Sequence, residues 1–238
     1  MARVDLRGQR AETIRTRLER VRAAIHEACL RHGRSPDTVR LLAVGKTFPA
    51  SDLQAAAAAG QRRFGESYVS EALEKLDALA GTGLEWHFIG PLQANKTRPV
   101  AERFDWVQSL DREKIARRLA AQRPAERPPL EVLIQVNISG EPSKRGVLPA
   151  GLPRLVEVVT SLPRLRLRGL MAIPARTDDV TAQRRAFAAL RTLQEGLQAE
   201  GLALDTLSMG MSGDLEAAIA EGSTLVRVGT GIFGPRGT

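Results

Sequence analysis

Cysteine is nearly absent from this sequence: Cys29 stands alone among 238 residues. One thiol excludes an intramolecular disulfide framework and a four-cysteine metal site, and its rarity suits a reducing compartment. Aromatic residues are 4% of the chain, too few to build the stacking platforms that hold single-stranded nucleic acid. Long apolar runs are missing at the start as well. The opening MARVDLRGQRAETIRTRLERV is interrupted by charge throughout, so neither a secretory signal nor a membrane span is expected there. A soluble, cytoplasmic product is expected. Lysine is scarce, five against thirty arginines, so the position of each lysine carries information.

What is present is an apolar fraction of 43%, enough for a large core and against a disordered chain. The length suits one domain spanning residues 1–238, since barrel folds often run longer than the ~150-residue norm. The formal charge of +8 fits either a polyanionic partner or an anionic small ligand. The basic residues are scattered through helices among Asp and Glu, and arginine and alanine are abundant throughout. Nucleic-acid binding is therefore not expected.

An amphipathic helix opens the chain, with Ile14, Leu18, Val21, Ile25 and Ala28 on one stripe and Cys29 beside it. His26 and His32 read as surface or helix-end residues. Gly33 is expected as its C-cap and Pro36 as its stop. From Val39 onward, short apolar segments alternate with helical ones. VRLLAVGKT, RRFG, LEWHFIG, FDWVQSL, PPLEVLIQVNIS, RLRGLMAI, LDTLSMG and TLVRVG are eight expected strands. SDLQAAAAAG is a helix with Ser51 as a candidate cap and Gly60 at its end. LQANKTR is a short helical piece. Eight strands separated by helices predict a parallel sheet closed into a (β/α)8 barrel. A doubly wound dinucleotide-binding sheet should open with GxGxxG, and AVGKTFPAS lacks it. The GKT triplet lacks the upstream glycine of a P-loop, since position 40 is Arg40, so nucleotide hydrolysis is not expected.

Barrel chemistry gathers at the C-terminal strand ends. Lys46, Glu66, Ser67, His87, Asn137, Ser208 and Arg227 stand there. Alternation puts Lys46 on the face of Leu42 and Val44. An amine held in a dry barrel mouth loses its proton more readily and can attack an aldehyde. The same lysine can also simply extend from the strand end into water. LSMGMSGDLEAAI runs from a strand through small residues into a helix, with Ser212 as a candidate N-cap. Its hydroxyl and the amides of Met211, Ser212 and Gly213 suit phosphate oxygens. Gly229, Thr230 and Gly231 form a second turn after the last strand, able to act as a nest of amides. An ordinary cap and a glycine turn explain the same residues. Asp214 and Glu216 must point away from any phosphate held here. Arg227 lies among Leu225, Val226 and Val228, so its guanidinium needs a partner: a carboxylate or the ring nitrogen of a ligand. His87 shares a face with Glu85 and Ile89 and lacks a second ligand at metal spacing, so no metal is expected. Asn95, Lys96 and Arg98 either cap the mouth or face water. Lys144 either supplies positive charge near an anion or is solvated.

Seven ordered motifs, LLAVGKTFP, FGESYVSEALEK, WHFIGPLQANK, QVNISGEPSKRG, GLMAIP, LSMGMSGDLEAAI and TLVRVGTGIFG, resemble the pyridoxal phosphate-binding homeostasis proteins, the YggS/PROSC type. The resemblance runs from about Leu6 to Gly234. It implies the barrel of the alanine racemase N-terminal domain, the type III fold of pyridoxal phosphate (PLP) enzymes. It implies PLP held as a covalent aldimine on Lys46, with Arg227 near the pyridine nitrogen. Ser212 and the backbone of Gly229 and Thr230 match the phosphate cup, flanked by Met211 and Gly213. His87, Asn137 and Met171 match residues lining the pocket. Where the family has asparagine in FGENYV this chain has Ser67, which keeps a donor and an acceptor on a shorter side chain.

An arginine beside the ring nitrogen disfavours its protonation and so weakens carbanion stabilisation. Racemization also needs acid–base groups on both faces. Lys46 serves one. In alanine racemases a tyrosine of a separate β domain serves the other, and no such domain is expected in a chain read to Thr238. Tyr68 is the only tyrosine, and it has no evident route to that face. The expectation is a non-enzymatic PLP carrier that buffers the cofactor or delivers it to apo-enzymes within PLP and amino-acid homeostasis. The alternatives are a racemase of reduced architecture and a polyanion-binding module. A closed barrel leaves no sheet edge to cover. A monomer is the simplest expectation, and a weak dimer is the alternative.

Overall fold

The structure, a computed structural model, describes residues 6–235. Eight parallel strands close into a barrel in chain order, β1 through β8. They are β1 (Arg40–Val44), β2 (Arg63–Glu66), β3 (Glu85–Phe88), β4 (Trp106–Leu110), β5 (Leu130–Gln135), β6 (Leu165–Met171), β7 (Thr206–Ser208) and β8 (Leu225–Val228). Helices α1 (Leu6–Arg31), α2 (Ala50–Ala58), α3 (Val69–Ala78), α4 (Thr97–Arg103), α5 (Glu113–Gln122), α6 (Leu152–Thr160), α7 (Val180–Ala199), α8 (Leu215–Ala220) and α9 (Thr230–Phe233) ring it. The expected barrel and its extra N-terminal helix are both present.

Two apolar clusters follow from strand alternation. Outward-facing Leu41, Ala43, Phe64, Phe88, Val132 and Val226 pack against helix residues that include Ile14, Leu18, Leu53, Ile115 and Phe187. The α1 stripe thus does what its spacing predicts, with Ile14, Leu18, Ile25 and Ala28 buried and Val21 packed beside them. Gly33 takes the left-handed conformation (φ 65°) that closes the helix. Gly60 ends α2 the same way (φ 83°). A second, small cluster of Trp106, Leu133 and Met171 fills the interior between β4, β5 and β6.

Local expectations fail in three places. Ser51 lies inside α2, whose N-cap is Pro49. Ser212 caps nothing, because α8 starts at Leu215 and its N-cap is Asp214. The GTGIF segment read as a glycine turn continues into the one-turn helix α9.

Closure decides where the site lies. β8 pairs with β1 in the register Leu42↔Arg227 and Ala43↔Val228. Val44 is therefore level with Gly229, and a Cβ on Gly229 would lie 3.2 Å from the Val44 carbonyl oxygen. Residues 185 positions apart in sequence become neighbours at one seam. Among the described residues, no helix is long and apolar enough to cross a membrane.

Candidate functional site

A cavity of about 740 Å³ opens at the C-terminal ends of the strands, within the range of small-molecule sites. Eight of the residues singled out from sequence line it: Lys46, Ser67, Met211, Ser212, Gly213, Arg227, Gly229 and Thr230. Lys46 comes from the turn after β1, Ser67 from the end of β2, and the rest from β8 and the turns after β7 and β8. Lys144 joins them from the β5–α6 loop, with Ile173, Arg176, Asp178 and Phe187 from the β6–α7 side.

Three candidates lie elsewhere. His87 is fully buried in the barrel interior, stacked on Trp106 at a centroid distance of 5.1 Å. Met171 is equally buried, packed on Trp106 and Leu133. Both point inward as alternation requires, but they sit below the lining. Asn137 is buried beside the β5–α6 loop and braces it, its Nδ2 donating to the carbonyls of Glu141 (2.9 Å) and Lys144 (3.3 Å). It therefore holds a loop that contributes Ser139 and Lys144 to the cavity.

Arg227 is 4% exposed. It donates to Ser208 Oγ at 2.6 Å and to the Ala172 carbonyl at 2.8 Å. Both acceptors are neutral, and among the described residues no carboxylate forms an ion pair with it. Burial pushes the guanidinium down to about 10, with Asp214 acting in the opposite sense. A buried cation without an anion facing a cavity is costly unless something bound there completes it.

The turn after β7 is ordered by its own acid. Asp214 Oδ1 accepts from the Met211 amide at 2.6 Å. Glu216 turns away to Arg31 (2.9 Å) and His32 (3.5 Å). One of the two acids that would oppose a phosphate is thus committed elsewhere, and the other also lines the cavity.

Behind Lys46 stands a cluster that the sequence reading missed. Lys75, on α3, is buried and donates to Gly45 O (2.8 Å), Glu66 Oε1 (2.9 Å) and Glu71 Oε1 (2.5 Å). Three acceptors use all three protons of an ammonium. The same Glu71 oxygen accepts from the Thr47 amide at 2.6 Å. Both backbone neighbours of Lys46 are therefore tied to one ion pair. Thr47 has φ 70°, a left-handed conformation that a β-branched residue adopts only when held. Gly45 is required there, since a Cβ would lie 2.6 Å from Glu66 Oε1. Burial pushes the Glu66 carboxyl up to about 7 despite Lys75. Its Oε2 is buried without a partner. The available signal was the scarcity of lysine and the Glu71–Lys75 spacing of one helical turn.

Residues 17–237 match the family model of the alanine racemase N-terminal domain. A pyridoxal phosphate homeostasis protein of Pseudomonas aeruginosa is 59% identical over 94% of this chain and 96% of its own length. The chain belongs to that family. Its Escherichia coli K12 member is 55% identical over 92% of this chain and 95% of its own. Among solved structures, PipY of Synechococcus elongatus with PLP bound superposes with a TM-score of 0.81 at 37% identity. That match covers 92% of this chain and 99% of PipY. Alanine racemase of Corynebacterium glutamicum shares the fold, with a TM-score of 0.72 at 17% identity over 94% of this chain and 62% of its own. The barrel is the type III fold that the motifs implied.

Proposed function

We propose that this protein binds pyridoxal 5′-phosphate without catalysing a reaction on it, and takes part in cytoplasmic PLP homeostasis by carrying or buffering the cofactor. Membership of the homeostasis family supports this reading, as does PipY, solved with PLP bound. The structural observation that carries it is Arg227, a buried cation on neutral acceptors that faces a cavity also lined by Lys46.

The residues fit the cofactor group by group. Bound PLP supplies an aldehyde carbon that accepts an amine and a ring that withdraws electrons. Lys46 is the amine we assign to the aldehyde, its Nζ condensing with the carbonyl carbon as one water leaves. Ser212 offers a hydroxyl to the phosphate, and Gly213, Gly229 and Thr230 offer backbone amides from the adjoining turns. Arg227 serves the ring nitrogen. Its positive charge keeps that nitrogen unprotonated and so weakens the electron sink that amino-acid chemistry requires. Tyr68, the only tyrosine of the sequence, is 54% exposed and lies outside the cavity lining.

The test is an absorbance spectrum of PLP-loaded protein before and after borohydride, with the reduced adduct located by peptide mass spectrometry. We expect a band near the visible edge and label on Lys46, both lost in Lys46→Ala. Label on another lysine overturns the assignment. Exchange of the α-hydrogen of alanine, serine or lysine into heavy water at enzymatic rates overturns the non-enzymatic reading.

A further inference from the structure

A single chain of hydrogen bonds crosses the barrel interior from the cavity to the opposite end. Arg227 donates to Ser208 Oγ at 2.6 Å. Ser208 Oγ donates to Gln108 Oε1 at 2.7 Å. Gln108 Nε2 lies 2.8 Å from His87 Nδ1, and His87 Nε2 lies 2.7 Å from Glu85 Oε1. Ser208, Gln108 and His87 are all buried. Glu85, at the start of β3, is 35% exposed and meets Arg63 at 3.2 Å.

The donors run one way only. Glu85 is an acceptor, its carboxyl lowered overall: burial raises it, but the bond from His87 and the charges of Arg63 and Arg40 act the other way. Its partner Nε2 must therefore carry hydrogen. In a neutral imidazole Nδ1 is then the acceptor, which requires the amide nitrogen of Gln108 and turns its oxygen to Ser208. The hydroxyl proton goes to that oxygen and leaves Ser208 Oγ to accept from Arg227. Reversing the Gln108 amide would take away the acceptor of the Ser208 hydroxyl proton and demand hydrogen on both ring nitrogens. Burial depresses His87 protonation against the pull of Glu85 and Asp105, with Arg40 reinforcing the depression.

We propose that His87, Gln108 and Ser208 are positioning residues, a fixed-sense chain that holds the Arg227 guanidinium toward the cavity and carries its occupancy to the far end of the barrel. This rests on the proposed function for the identity of the ligand, but the sense of the chain does not. A guanidinium held by a hydroxyl and a carbonyl keeps its full charge for the ligand. Each link accepts from one neighbour and faces the next, so a change at Arg227 alters the polarisation of the next bond.

Nitrogen-15 NMR of the three histidines tests both parts, because His26 and His32 are exposed and only His87 is buried. In cofactor-free protein at neutral pH, His87 is expected as the neutral tautomer with hydrogen on Nε2. Hydrogen on Nδ1, or a cation, overturns the chain. On adding PLP the His87 Nδ1 resonance is expected to move, although His87 does not line the cavity. Gln108→Met removes the acceptor that orients the Ser208 hydroxyl, so cofactor affinity should fall, though less than in Ser208→Ala, and the His87 response should disappear. Ser208→Ala should lose both the response and about ten-fold in cofactor affinity, and Ser208→Thr, which keeps the hydroxyl, should restore both. PLP uptake with an unmoved His87, or a response that survives Gln108→Met, overturns the coupling alone. Failure of the wild type to take up PLP overturns the proposed function and the coupling together, while the tautomer still reports on the sense of the chain.

Discussion

Replacing Glu66 with glutamine should flatten part of the pH dependence of stability. Glu66 is fully buried at the end of β2, with one oxygen on Lys75 and the other unpartnered. Burial raises its carboxyl from the ordinary 4.5 to about 7, and Lys75 offsets that only in part. The folded state therefore binds this proton more tightly than the unfolded chain does. The resulting stabilisation is complete below pH 4.5 and is lost as the pH climbs through about 7. The loss across that window is about 3 kcal/mol at 1.36 kcal/mol per tenfold change in proton affinity. For a chain of this size that is roughly 6–12 °C in Tm. Glu66→Gln keeps the shape and the acceptor for Lys75 but cannot titrate. Measured by thermal unfolding at intervals from pH 4.5 to 8, wild type and variant should nearly coincide at the acid end, the wild type should fall steadily below the variant between pH 4.5 and about 7, and the two should run parallel above that. Every other titrating group is common to both proteins and cancels. Parallel curves across the whole range would refute the assignment of a raised carboxyl to Glu66.

Ser212→Ala should weaken PLP retention with the fold intact, because Ser212 is exposed in the cavity lining; an unchanged Kd in equilibrium dialysis removes it from the site. Lys75→Met strips the donor from Gly45 O, Glu66 and Glu71 at once and should cost about 3–5 kcal/mol in urea unfolding, the penalty for stranding a buried partner. Its effect on stability should be smaller at pH 5, where Glu66 is neutral. Arg227→Met should leave the barrel folded, because no carboxylate is stranded, yet reduce PLP affinity at least ten-fold by fluorescence titration, at ~1.4 kcal/mol per factor of ten; unchanged affinity removes Arg227 from the ligand.

The barrel was legible because eight apolar segments separated by helical ones admit few topologies, and closure follows from their number. The helix after β3 is longer than LQANKTR suggests because Pro99 falls in the first turn of α4, where a missing amide breaks no hydrogen bond. Lys46, Arg227 and the turns after β7 and β8 were legible because they stand at strand ends, where polarity amid apolar residues is conspicuous. His87 and Met171 show what alternation leaves open. Alternation tells which face of a strand a residue occupies but not its height along the barrel axis. Both face inward, yet neither lines the cavity. Of the Lys75 cluster only the Glu71–Lys75 pair is local in sequence; Glu66, at the end of β2, and the Gly45 carbonyl, just after β1, are brought to it by folding.

The two cationic residues that line the cavity at the β1–β8 seam are held from opposite sides, and the way each is held explains what the cavity attracts. The neighbours of Lys46 are fixed from outside the barrel, where Glu66 and Glu71 are engaged by Lys75 and by the Thr47 amide. Arg227 is fixed from inside, by a hydroxyl and a carbonyl, and the carboxylate that ends its chain of hydrogen bonds is Glu85, three links further on at the other end of the barrel. Carboxylates thus order the surroundings without lying against the guanidinium. Had Ser208 been an aspartate, Arg227 would be neutralised in place and the cavity would lose its strongest reason to take an anionic or electron-rich ligand. Orientation supplied by neutral acceptors, with the compensating charge kept at a distance, leaves a cavity whose positive potential is completed only by what enters it.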